Sequence, residues 1–211
     1  MTTWDILIPT IPHRDTTLRL LLEELDRQWQ PGLGVILNWD NLERPGLASY
    51  AKWGELAAAS RADYISFAGD DDMVAPDFVP RVMKAIESQP DYVGFPVRYT
   101  IAGELQQPVE HSLRYPGWID SPQMLIRDIV HTNPIRRELA LLVPWEAKLP
   151  DEDLAWGNRM RATGRVKSEV WIDDPMYYYQ PDRRSSFWQS RAPMPEDQIP
   201  PVPEYPWLRV L

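Results

Sequence analysis

The sequence contains no cysteine, so neither a disulfide nor a thiolate-held zinc can contribute to its stability or chemistry. No stretch reaches about 18 consecutive apolar residues, which excludes a transmembrane helix of ordinary length. The first residues, Met1-Thr2-Thr3-Trp4-Asp5, lack the basic, apolar and small-residue succession of an export signal, so a cytoplasmic location without a membrane anchor is expected. Positive charge is in deficit: 22 Lys and Arg stand against 31 Asp and Glu, for a net charge of −9. That balance argues against a broad electrostatic grip on nucleic acid or an anionic membrane, which needs clustered cations. No internal repeat is present.

What remains is a chain of 211 residues, 44% hydrophobic and 25% charged, long enough to bury a full core as one domain with at most a small appendage. Ten Trp and nine Tyr are many for this length. Most should be core, but aromatic planes are also platforms for sugar rings and bases.

The apolar pattern alternates between short runs and helical stretches. Residues 5–10 form a short apolar run ending at Pro9, and Leu18, Leu21, Leu22, Leu25 and Trp29 then recur at helical spacing, with Asp15 as the expected cap. A second strand is expected at 35–38, an Ala-rich helix at 46–60 and a third strand from Tyr64. A helix over 76–88 follows, with Pro80 tolerated only in its first turn, and then a strand at 92–97. This order predicts an α/β layer with a mixed, mostly parallel sheet flanked by helices. Beyond it are a hairpin tip at 100–105, a short helix at 135–142, a helix opened by Pro150-Asp151-Glu152-Asp153 that runs to Thr163 with Gly164 as its stop, and strands at 166–172 and 176–179. Six of the 22 prolines fall in 192–211, a tail expected to be extended and pinned by Tyr205, Trp207 and Leu208, or else mobile.

In parallel sheets ligands gather beyond the carboxyl ends of the strands. Thr10, Arg14, Asp40 and Asp70-Asp71-Asp72 all fall at such ends, from three separate strands. Three adjacent carboxylates repel one another, and a divalent cation with a bound phosphate would neutralise them. The plain alternative is a solvated acidic turn in which Asp72 or Asp77 caps the next helix.

Four segments in order resemble family 2 of the GT-A glycosyltransferases, over residues 5 to about 186. They are Ile6-Leu7-Ile8-Pro9-Thr10-Ile11-Pro12-His13-Arg14; Phe67-Ala68-Gly69-Asp70-Asp71-Asp72-Met73-Val74-Ala75-Pro76; Ile135-Arg136-Arg137-Glu138-Leu139; and Glu152-Asp153-Leu154-Ala155-Trp156 with Arg159 and Gly164. The resemblance implies a GT-A domain over 1–191, with a nucleotide-sugar half (1–97), an acceptor and catalytic half (98–191), and the tail 192–211 apart. It implies transfer of a sugar, with inversion, from a nucleotide diphosphate (UDP favoured) to an acceptor hydroxyl. Mn²⁺ or Mg²⁺ would be held by Asp71, with Asp70 beside the nucleotide and Asp72 as a second ligand or simply exposed. Asp153 would be the general base and Glu152 its orienting neighbour, although acids at a helix start are also ordinary capping. Pro9, Thr10, Arg14, Asp40 and Lys52 would contact the donor, Arg183 and Arg184 its diphosphate, and His131 and Trp156 the acceptor. Two positions depart from the family pattern. Gly69 stands where many members carry the first Asp, and Gln180 where many carry a metal-binding His. The acceptor could be a glycan, a small molecule, a lipid-linked sugar or a hydroxylated DNA base reached through Arg136, Arg137, Arg183, Arg184 and Arg191. Two rival readings are a non-catalytic nucleotide-sugar binder of the same fold, and a haloacid-dehalogenase-like phosphatase using Asp70 and Asp72, with Asp173-Asp174 as its later acidic pair.

Overall fold

The sheet is built around β1 (Trp4–Thr10), a run buried along nearly its whole length because helices cover both of its faces. In the computed structural model, which describes residues 1–39, 50–145, 152–180 and 195–211, β1 pairs in parallel with β2 (Leu33–Trp39) and β3 (Tyr64–Phe67). Strand alternation sends Trp4, Ile6, Ile8, Val35 and Leu37 into one core layer and Leu7, Ile36, Ile65 and Phe67 into the other. α1 (Asp15–Gln28) covers the first layer with Leu18, Leu21, Leu22 and Leu25, all wholly buried. α2 (Tyr50–Ala59) brings Leu56 and Ala57 to the second.

Asp15 does not cap α1 from outside. A single 3₁₀ turn, Pro12–Arg14, leads directly into the helix, so Asp15 is its first residue and its carboxylate takes the Arg19 Nε–H at 2.8 Å. After the two-residue strand β4 (Met73–Val74), α3 (Phe78–Ile86) joins α1 on the first layer through Phe78, Val79, Val82 and Ile86. Pro80 is the third residue of α3, where its missing N–H breaks no helical bond. Asp77 precedes α3 without making a side-chain cap.

β5 (Tyr92–Ile101) outruns the expected 92–97 and turns back at Ala102 and Gly103, both at positive φ (51° and 83°), into β6 (Glu104–Leu105). Beyond it lie β7 (Val109–His111), β8 (Ile119–Asp120) and β9 (Leu125–Arg127), a small annex to the main sheet. The expected helix at 135–142 begins as a strand, β10 (Ile135–Arg136), inserted antiparallel between β3 and β5, and only then forms α4 (Arg137–Ala140). α5 (Glu152–Thr163) ends where Gly164 adopts φ 59°. β11 (Glu169–Trp171) and β12 (Tyr177–Tyr179) both pair in parallel with β5, so the N- and C-terminal halves share one sheet. β13 (Leu208–Val210) pairs in parallel with β2 at the sheet's outer edge, beyond the stacked Tyr205 and Trp207 rings. The main order is β13-β2-β1-β3-β10-β5-β7-β9-β8. Among the described residues no helix is long and apolar enough to cross a membrane.

Because β1, β3 and β5 run the same way, their carboxyl ends open on one side, and β7, β9 and β12 wall that side in. Arg136 is in register with Tyr64, the first residue of β3, and so lies at the opposite end of the sheet.

Candidate active site

A cleft of about 530 Å³ opens at the carboxyl ends of β1 and β3, within the usual range for small-molecule sites. Pro9, Gly69, Asp71 and Asp72 line one part of it, Asp153, His131 and Trp53 another, and Tyr99, Trp118 and Arg127 a third.

The three aspartates do not share an environment. Asp70 is 2% exposed and is held by the Arg14 guanidinium at 2.5 Å and by the Thr10 hydroxyl. Burial raises its pKa, and the Arg14 charge and both hydrogen bonds work against that rise. Arg14 itself is raised: burial pulls it down, but Asp70 and Asp71 together outweigh the loss of water, so it remains a cation. Asp72 is 5% exposed; it accepts the Tyr177 hydroxyl at 2.6 Å and the Gln180 backbone N–H at 2.9 Å. Burial, reinforced by Asp71 and Asp70, pushes its carboxyl up to about 7. Asp71 is the least enclosed of the three, with its side chain 20% exposed, 3.4 Å from Arg14 and bordering the cleft.

Gly69 is required by this packing. A Cβ there would lie 2.7 Å from Asp72 Oδ2 and 3.1 Å from Asp71 Oδ1, and the Gly69 N–H is donated to the Tyr177 hydroxyl at 2.8 Å. A side chain at position 69 would therefore collide with the two later carboxylates that fold back over it. Among the described residues no three His, Asp or Glu side chains converge as a closed metal cage, and of the triplet Asp71 and Asp72 line the cleft.

The opposite wall comes from the start of α5. Asp153 lines the cleft while its Oδ1 accepts the Leu154 N–H at 2.8 Å. Tyr179 also lines the cleft and is 45% exposed. Burial pushes its phenol up to about 12, with further contributions from Asp72, Asp71 and Asp153. Behind them lies an aromatic block. The Trp53 ring packs on His131 with centroids 4.2 Å apart and edge-on to Trp145, which stacks on Trp156 at 4.6 Å.

No family model matches the chain, and no curated protein sequence matches it. Solved structures do match. S. aureus TarS 1-349 superposes with a TM-score of 0.66 at 13% identity, covering 85% of this chain and 60% of that one. TarS 1-349 in complex with UDP-GlcNAc gives 0.64 at 12%, covering 85% and 59%, and its complex with UDP gives 0.66 at 13%, covering 85% and 61%. The chain has a glycosyltransferase-like α/β fold. It spans about 60% of the length of these structures, and at such identity the likeness shows the fold alone.

On this glycosyltransferase-like fold the expected residues separate into three groups. Pro9, Asp71, Asp72, His131 and Asp153 border the cleft. Thr10, Arg14, Lys52 and Asp70 stand behind it as a support, since the Lys52 ammonium donates to the Thr10 carbonyl at 2.7 Å. Asp40, Arg183, Arg184 and Arg191 lie outside the described residues. Two expectations need correction. Trp156 is 1% exposed, with its indole N–H on the Val143 carbonyl at 3.3 Å; it is part of the core and does not line the cleft. Asp72 is neither exposed nor open on its Oδ1 and Oδ2 sides, because Tyr177 and Gln180 occupy them. Glu152 is wholly buried and paired with Arg159 at 2.5 Å, so it anchors the start of α5. The dehalogenase-like reading also fails on geometry: its nucleophile would be the enclosed, ion-paired Asp70, while Asp174 is spent on Arg81 at 2.6 Å.

Sequence reasoning missed Trp53, Tyr99, His111, Trp118, Arg127, Tyr177 and Tyr179 as cleft residues. For the tyrosines a signal existed. In Tyr177-Tyr178-Tyr179 the first and third must share a face of the strand, and that face meets the aspartates.

Proposed function

We propose that the chain transfers a sugar from a nucleotide-diphosphate donor, UDP-linked by preference, to an acceptor hydroxyl with inversion at the anomeric carbon. The observation that carries this reading is the pair Asp71 and Asp153, which border one cleft from two different elements at the carboxyl end of a parallel sheet. The acceptor oxygen bonds to the anomeric carbon as the bond from that carbon to the diphosphate breaks. The electron pair leaves on the diphosphate, and the acceptor proton passes to the Asp153 carboxylate.

The residues fit a divalent cation of the Mn²⁺ or Mg²⁺ type held by Asp71 and the donor phosphates, an open site of the kind such ions commonly use. When bound, the ion supplies positive charge against the departing diphosphate. Arg14 and Asp70 fix the loop that presents Asp71, and Lys52 holds the end of β1 against α2. The Trp53–His131 pair shields the centre from water on the α2 side. A DNA base as acceptor finds little support: Arg136 lies at the far end of the sheet and is engaged with Asp91 at 3.4 Å.

A thermal-shift titration tests the reading. UDP should stabilise the protein, and more so with Mn²⁺ present. Asp71→Ala should remove the Mn²⁺-dependent part and the transfer activity, whereas Asp153→Asn should keep UDP binding and lose transfer. Full transfer in both variants would contradict the mechanism. UDP binding with no turnover on any of a broad acceptor panel would favour the binding-protein reading instead.

A further inference from the structure

The part of the cleft away from the aspartates has a floor that follows from strand register. Tyr177 is in register with Val97, Val97 with Val109, Val109 with Leu125, and Leu125 with Asp120, so one row of side chains crosses β12, β5, β7, β9 and β8. All five residues line the cleft, and the middle three are aliphatic. The row starts at the tyrosine that holds Asp72 and ends at the annex. The next row of the same face places His111 opposite Arg127.

Three polar side chains beside this floor, His111, Asp120 and Arg127, are already engaged. His111 Nδ1 bonds Asn133 Oδ1 at 2.7 Å, and Asp120 is paired with Arg127 at 2.5 Å. Arg127 also donates to the Ile126 carbonyl at 2.9 Å and lies 4.7 Å from the Trp118 ring centroid, fixing that indole as a wall. The Trp118 Nε1 is buried without a hydrogen-bond partner among the described residues. The strip of Val97, Val109 and Leu125 side chains offers neither donor nor acceptor to the face of a molecule lying on it, which favours an apolar face there over a polar one. A flat apolar ring presents such a face.

Resting on the transferase reading above, we propose that the acceptor is an aryl alcohol or phenol, a hydroxyl carried on a flat and largely apolar ring. The ring lies on the Val97–Val109–Leu125 row against Trp118, with its hydroxyl directed toward Asp153.

The test is direct binding to the full chain, by ligand-observed NMR and calorimetry, of 4-methoxybenzyl alcohol and of methyl β-glucoside. UDP binding is measured in parallel. The aryl alcohol should bind and the glucoside should not. Trp118→Ala should weaken the aryl alcohol by about tenfold, the scale of one lost aromatic contact, with UDP affinity unchanged. Leu125→Asn should act in the same direction and serves as a second variant if Trp118→Ala does not fold. Preference for the glucoside, absence of aryl alcohol binding, or unchanged binding in a folded variant would each overturn the proposal. If the aryl alcohol binds as expected and UDP does not bind, this subsite stands and the donor assignment falls.

Discussion

Three neighbouring aspartates meet different surroundings because their partners come from different parts of the chain. Arg14 holds Asp70 at 2.5 Å and reaches Asp71 at 3.4 Å, while Tyr177 and Gln180 enclose Asp72. The pKa of Asp72 is raised to about 7 in the folded state, so between its ordinary value near 3.8 and about 7 the folded protein binds more protons than the unfolded chain. Its contribution to stability is therefore greatest at low pH and is lost as pH rises through that window. Asp72→Asn removes the titration. Its melting temperature should exceed wild type at pH 8 by about 2–4 °C for each kcal/mol relieved, with a smaller difference at pH 5, as followed by circular dichroism. Gly69→Ala should cost about 1–3 kcal/mol, the usual scale of overpacking, because the carboxylate in its way is tied at both oxygens. A denaturant midpoint equal to wild type would show that the loop gives way freely. The acidic triplet was legible in the sequence. The resemblance singled out Asp71, but the enclosure of Asp72 was not legible, since it is made by a tyrosine more than a hundred positions later.

At the scale of elements, α5 decides where Asp153 sits, and Gly157 decides where α5 sits. A Cβ at Gly157 would come within 2.6 Å of the Ile129 carbonyl oxygen, a backbone atom that cannot swing aside. Helix propensity alone would favour Ala over Gly by about 1 kcal/mol. The close approach outweighs that gain, so Gly157→Ala should lower stability and shift the Asp153 wall. Measured by unfolding and by transfer rate, it should lose both, while UDP affinity at the Asp71 wall changes little. The helix was readable from its acidic start and its Gly164 stop. The packing of Trp156 was not, because Trp145, the ring it stacks upon, comes from a connecting segment with no periodic signal. β10 was hidden for a related reason: a two-residue strand is too short to show a period, and its place between β3 and β5 is set by tertiary pairing.

For the molecule as a whole, one buried histidine, His111, and one half-buried histidine, His131, lower stability in acid. The pKa of His111 is lowered to about 3 by burial, with its Asn133 bond opposing, and His131 is lowered to about 3 by burial alone. Below about pH 6.5 the unfolded chain takes up protons that the folded one refuses, so stability falls as pH drops toward 3. The loss is up to about 1.4 kcal/mol per pH unit for one fully buried His. His131 borders the cleft and should contribute less. His111→Gln should flatten the acid limb of a stability-versus-pH curve. At the opposite edge, deleting 205–211 would strip β13 from β2, along with the Arg209 bond to the Ala59 carbonyl at 2.5 Å. The bared edge should lower the melting temperature and promote aggregation without abolishing UDP binding.

The account turns on Asp71 and Asp153 facing each other across the reacting bond. Anomalous diffraction from a crystal soaked with Mn²⁺ and UDP measures this directly. A manganese peak should lie against the Asp71 carboxylate, with the UDP phosphates on its other side and Asp153 across the cleft. A peak coordinated elsewhere, or none with UDP bound in full, would contradict it.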